Sequence, residues 1–117
     1  MGAGTSPSQT LSLNFKLLSH NLCDGFGGIG EGMGMQRTAD GRYIMWLGHE
    51  GPPKNFTAVD VTDPKNPRVI VQTDLPHHKM RSNSLEVCGD RMYVAHQIRG
   101  IAAGGTPAGF DIWDIST

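Results

Sequence analysis

Phe56 to Pro67 reads FTAVDVTDPKNP, a short apolar run carrying one acid and closed by two X-Pro steps, Asp63-Pro64 and Asn66-Pro67. Proline presets the backbone dihedral of a turn and aspartate bonds the backbone two residues on, so this stretch is a strand running into a tight turn. It returns 54 positions later as Phe110 to Ser116, FDIWDIS, in the form F-x-x-[VW]-D-[VI]-[TS]. The flanks return as well. Arg42-Tyr43-Ile44 is answered by Met92-Tyr93-Val94, Asp40-Gly41 by Gly89-Asp90, and Leu17 and Leu22 by Ile70 and Leu75. Self-similarity at a period of about fifty residues marks a repeat architecture in which each repeat is one small folding unit.

Working outward, Leu11 to Asn21 (LSLNFKLLSHN) alternates loosely between apolar and polar residues, as a strand does. Leu22 to Gly32 is a glycine-dense loop. Met33–Thr38 and Arg42–Leu47 are strands around the Ala39-Asp40-Gly41 turn, and Gly48–Asn55 (GHEGPPKN) is a loop that Pro52-Pro53 bars from regular pairing. Phe56–Thr62 is the next strand. Arg68–Asp74 then opens a second copy of the same order: a loop at Leu75–Arg81, strands at Ser82–Cys88 and Arg91–Ile98, the glycine-rich loop Gln97–Gly109, and FDIWDIS. No segment carries helical periodicity with caps. The chain reads as all-β, eight strands in two sets of four, after a small, polar segment 1–10 expected to be disordered. Near-continuous apolar runs such as YIMWL and MYVA suit sheets covered on both faces by neighbours.

The 117 residues amount to one domain or less. Apolar content of 38% and a charged fraction of 18% are those of a globular protein, and a net charge of −1 argues against nucleic acid or an anionic membrane as partner. No run is long enough to cross a membrane. The N-terminus lacks the basic and apolar regions of a secretory signal, which makes the cytoplasm the default expectation. Two cysteines, Cys23 and Cys88, are too few for a disulfide framework. Asn55-Phe56-Thr57 is a formal glycosylation sequon, relevant only to a secreted eukaryotic chain.

The blocks VDVTDPKNPRVI, SLEVCGDRMYVAH and FDIWDIS resemble the LVIVD-type repeat of bacterial and archaeal β-propellers. The family pattern is roughly [IV]-D-[VI]-[ST]-[DN]-P-x-x-P-x-[VI], then an apolar inner strand and G-[DN]-x-x-Y-V-A. The likeness covers Leu11 to Ser116; the long Gln97–Gly109 loop and the presence of only two repeats depart from it. It implies a partial propeller: 11–21 as the outer strand of a preceding or closing blade, 33–74 as one blade and 82–116 as an incomplete blade. Rings usually need about four to eight blades, so further blades of the same chain or self-association are expected, and the chain reads as an N-terminal fragment. The family's members are often surface-associated, which adds the cell surface or secretion to the possible compartments.

Antiparallel order sends alternate connections to opposite ends of each sheet. The long loops share one rim, and rigid scaffolds carrying long loops are where binding resides. His20, His49, His77, His78 and His96 all map to that rim by sequence, with Asp24, Glu31, Glu50, Lys79, Arg81 and Asn83. The ligand-binding face so defined is His49, Glu50, His77, His78, Arg81, Asn83 and His96, facing a protein or small-molecule partner without catalysis. The alternative is a metal-dependent oxidoreductase or hydrolase, in which His77, His78, His49 and His96 hold Zn, Cu or Fe and Glu50 or Asp24 serves as acid or base. That alternative is similar to methanethiol oxidase and selenium-binding propellers in architecture and histidine content alone. Three other readings are bland. Gly25–Gly30 matches G-x-G-x-x-G but lacks the following helix a dinucleotide site requires. Asp60 and Asp114 occur once per repeat and read as turn caps. Met33, Met35, Met80, Tyr43, Trp46, Tyr93 and Trp113 read as packing residues, and Cys23 as the one thiol placed for reactivity.

Overall fold

A computed structural model describes residues 14–26, 28–51, 53–76, 79–98 and 108–117. Seven strands form two antiparallel sheets. The first is β1 (Ile29–Arg37), β2 (Tyr43–His49), β3 (Lys54–Asp60) and β4 (Arg68–Asp74), paired in chain order. The second is β5 (Met80–Cys88), β6 (Arg91–Ile98) and β7 (Phe110–Asp114), likewise in order. The sheets stack face to face as consecutive blades of a partial propeller do, and the array is open. The chain is all-β; the helical element among the described residues is a single 3-10 turn, Cys23–Gly25.

Alternation along each strand decides what fills the joint. Ile44 and Trp46 of β2 and Phe56 and Ala58 of β3 point to the second sheet, where they bury against Leu85, Met92, Val94 and Ile115. Phe56 sits edge-on to both Trp46 (ring centroids 5.6 Å apart) and Trp113 (5.2 Å), an arrangement that aligns ring edges with ring faces. Buried Gln36 crosses the joint: its Oε1 accepts from Trp46 Nε1 at 2.9 Å and its Nε2 donates to the Ile115 carbonyl at 2.6 Å. The opposite face of the first sheet gathers Leu47 and Val59 with Met45, Val61 and Val69 around Cys23.

The closest approach between the sheets is made by glycine. A β-carbon on Gly32 would lie 2.5 Å from the Leu85 amide nitrogen, and one on Gly34 would lie 2.7 Å from Val87 Cγ2. Strand periodicity places these two residues on one face of β1, and β5 lies against that face at a separation no side chain fits. The glycine-dense loop expected over Leu22–Gly32 is therefore shorter than expected: pairing begins at Ile29 opposite His49, and Gly32 and Gly34 are packing residues of a strand. The other strands match the reading closely, with Arg68–Asp74 and Arg91–Ile98 as expected.

Two further differences matter. Of residues 11–21, read as an outer strand, those described (14–21) pair with no strand among the described residues; 1–10, expected to be disordered, lie outside them. The internal repeat also has a different register. Met45↔Val59 and Leu47↔Thr57 of the first sheet match Met92↔Trp113 and Val94↔Asp111 of the second, so Met45–His49 corresponds to Met92–His96, not Tyr43 to Tyr93. The cause is turn length. Five residues separate Arg37 from its partner Tyr43, whereas two separate Cys88 from Arg91. Aligning the chain on its turns slides the strands past one another.

Gly32→Ala forces backbone against backbone and is expected to cost about 1–3 kcal/mol, read as a lower urea midpoint. Gly28→Ala, where nothing lies within 4 Å, leaves the midpoint unchanged. Equal effects of the two would contradict the glycine joint.

Candidate functional site

The two rims of the stacked sheets differ in how they are finished. At one, aspartates cap their own turns. Asp60 Oδ1 accepts from the Thr62 amide at 3.0 Å, and Asp114 Oδ1 accepts from the Ser116 amide at 2.9 Å and its hydroxyl at 2.6 Å, so both acids are the turn caps the repeat suggested. These bonds hold both carboxyls below their ordinary range, Thr62 leading for Asp60 with Arg68 and Arg42 adding charge, and Ser116 leading for Asp114 with Arg91 adding less. Asp63 is lowered by Asn66 and Lys65, and Asp40 by Thr38 and Arg42. Gly41 and Gly89 take positive φ there (88° and 61°), conformations glycine adopts without steric cost.

At the opposite rim the connections are long, and a polar cluster spans both sheets. Glu50, just past β2, pairs with Arg81 on β5, and Arg81 also donates to Gln97 Oε1 on β6 through Nε (3.1 Å) and Nη2 (2.7 Å). At the same end of the first sheet, Lys54 Nζ bonds Asp74 Oδ1 at 2.8 Å and lies 4.8 Å from the centre of the Phe26 ring. Glu50 and Asp74 are exposed, so their acceptor faces reach solvent.

His49 and His96 stand at this end of β2 and β6 but turn into the sheets. His49 is 2% exposed, and its Nε2 lies 2.6 Å from Thr57 Oγ1. Thr57 Oγ1 accepts from Gln72 Nε2 at 3.1 Å. The arrangement that gives its proton an acceptor has Thr57 donating to a neutral His49. Burial, then the Lys54 charge, pushes the His49 imidazole below its usual value, which agrees. His96 makes the matching contact, Nε2 to Asp111 Oδ2 at 2.9 Å, while its buried Nδ1 has no hydrogen-bond partner among the described residues. Thr57 and Asp111 occupy equivalent positions opposite Leu47 and Val94, so each sheet carries one histidine locked to the next strand. The signal was in the sequence: MWLGHE and MYVAHQ, 47 positions apart.

The other sequence candidates divide. His20 follows Ser19, whose hydroxyl donates to the Pro64 carbonyl at 2.6 Å, so it stands toward the tight-turn rim instead of the long-loop rim. Cys23 is buried and its thiol is pushed up by desolvation and by Asp24, which disfavours the thiolate that reactivity requires, contrary to expectation. Asn55 is buried, so the sequon presents no accessible acceptor. Tyr43, Tyr93 and Trp113 are partly exposed where the reading made them core, and so are Met33 and Met35; Trp46 and Met80 are buried as expected. Glu31 is exposed on β1, Asn83 falls at the β5 bulge, and Cys88 is exposed. His77 and His78 lie outside the described residues. Among the described residues no three or more metal-ligating side chains come together.

Two clefts open between the sheets away from this cluster. One of about 410 Å³ lies at the tight-turn rim between Arg37 and Asp90, and one of about 320 Å³ lies beside β7, walled by Phe56, Val71 and Trp113. No helix among the described residues is long and apolar enough to cross a membrane. Comparison of the chain with known families, curated proteins and solved structures finds no match.

Because the folded chain holds His49 neutral while an unfolded histidine takes its proton near pH ~6.5, its contribution to stability is full above that value. It is lost as pH falls from there toward the depressed folded value. Urea midpoints are expected to decline over this window in the native chain and to decline less in His49→Gln; identical slopes would show that His49 does not titrate on unfolding.

Proposed function

We propose that the chain is part of a β-propeller of the LVIVD-repeat type and acts as a non-catalytic binding module, meeting a protein or small ligand through its long-loop rim. The observation that carries this reading is the contrast between the rims. At the tight-turn rim Asp60, Asp63 and Asp114 each accept from the amide two residues on in their own turn. At the other rim Glu50, Arg81 and Gln97 tie the ends of the two stacked sheets together and Lys54–Asp74 stands at the same end of the first sheet, with the Glu50 and Asp74 carboxylates exposed. Such a cluster is held in place by strands yet open to a partner, as a preorganised polar site requires. The buried His49–Thr57 and His96–Asp111 contacts support it from beneath, fixing the strand ends from which Glu50 and Gln97 project.

The reading is tested with a photo-crosslinking side chain placed at Gln97 on one rim or at Asp90 on the other. Capture of a saturable partner from Gln97, and none from Asp90, is expected. Replacing Glu50 and Arg81 together by alanine is expected to weaken capture at least tenfold with the urea midpoint nearly unchanged, since exposed ion pairs add about 1 kcal/mol or less. Capture from Asp90 alone, or capture indifferent to the double replacement, would overturn it.

A further inference from the structure

We infer that the turn over residues 23–26 is a strained latch on the first sheet, and that its closure places Glu50 and Lys54 and so regulates the long-loop rim. The regulation rests on the binding role proposed for that rim; the latch itself does not.

The strain is in the backbone. Cys23 and Asp24 both take positive φ (54° and 55°), and Gly25 follows at 89°. Glycine adopts this region freely, whereas a residue with a β-carbon is strained there, aspartate less than most. Two such residues in succession persist only where their surroundings hold them. The holders belong to the first sheet. The Cys23 side chain, 3% exposed, packs on Leu47 and Val59. Gln72 Nε2, on β4, donates to the Cys23 carbonyl at 2.9 Å and reaches Thr57 Oγ1 at 3.1 Å. Asn21 Oδ1 accepts from the Cys23 amide at 2.7 Å and braces the turn from within. One small side chain and one amide thus secure a turn whose other residues, Asp24, Gly25 and Phe26, are exposed. Few buried contacts and an exposed backbone place a segment at the low end of local stability.

Two contacts carry the state of this turn to the rim. Lys54, whose Nζ pairs with Asp74, lies over the Phe26 ring. The chain leaving the turn runs along Glu50: the Gly28 carbonyl accepts from the Glu50 amide at 2.7 Å, and a β-carbon on Gly30 would lie 3.3 Å from Glu50 Oε2. With the turn closed, Glu50 is fixed through its backbone on one side and paired with Arg81 on the other. When the turn lifts, Phe26 leaves Lys54 and the Glu50 amide loses its acceptor. Both residues then lose the placement that a preorganised site needs. The coupling is reciprocal: a partner that requires Glu50 and Lys54 in place holds the turn closed.

The test uses the full 117-residue chain carrying Cys88→Ser, an exposed position, which leaves Cys23 as the sole thiol. Labelling of Cys23 by 4,4′-dithiodipyridine is expected to outpace global unfolding, and hydrogen exchange of the Glu50 amide is expected to report the same opening equilibrium. Asp24→Val puts a branched side chain at positive φ and Asp24→Gly removes the strain, while both remove the charge. The valine variant is expected to label about tenfold faster than the glycine variant. A loop that is flexible without strain gives the opposite order, because glycine adds freedom. Gln72→Leu, which lies away from the rim, is expected to raise Cys23 labelling and Glu50 exchange together by about fivefold. Capture from the photo-crosslinker at Gln97 is expected to weaken in the same variant. Urea midpoints verify that each variant is folded. Labelling that occurs only on global unfolding, or glycine labelling as fast as valine, would overturn the latch. Capture unchanged in Gln72→Leu while labelling rises would overturn its hold on the rim. Capture absent from the native chain too would refute the binding reading and the regulation with it, while the thiol and the Glu50 amide still decide the latch.

Discussion

The contact of β1 with β5, Gly32 against the backbone of Ser84 and Leu85 and Gly34 against Val87, is the constraint on which the arrangement rests. Neither glycine is needed for a turn or a positive φ. Each is needed because the next sheet occupies the space where a β-carbon would be. That approach seats Leu85 under Trp46 and Phe56 and lets Ser82 reach the first sheet, accepting from the His49 amide at 2.9 Å and donating to the Asn55 carbonyl. Close packing at the inner strands thus sets the position of the strand ends, and the strand ends set the polar rim.

Much of the fold was legible in the sequence because strands and turns write themselves at short range. The Asp-Pro and Asn-Pro steps, the glycine turns and the apolar runs placed six of the seven strands near their final positions. What was not legible depends on distance. Gly30 and Gly32 look like a loop to a local reading, since glycine is scarce in strands; for Gly32, only the neighbouring sheet explains the residue. Residues 11–21 carry a loose strand-like alternation, yet alternation cannot say whether a pairing edge is within reach.

The candidate site shows the same division. Glu50 and Arg81, assigned to one rim from strand order, pair with each other in the fold. The histidines were assigned to that rim as exposed ligands, but a side chain at a strand end can turn outward or inward, and the choice depends on what the next strand offers. Thr57 and Asp111 offer acceptors, and a buried polar ring takes the bond that satisfies it. His20 failed for another reason: its segment crosses the first sheet from the Pro64 turn, a tertiary contact no local pattern announces.

The account claims that the two sheets are one cooperative unit joined through β1 and β5. Native-state hydrogen exchange measures this directly. The slowest amides are expected in β2, β3, β5 and β6 of both sheets, all opening with a single free energy and a single denaturant dependence. Two groups of amides with separate opening energies, one for each sheet, would show that the sheets fold apart and would contradict the joint.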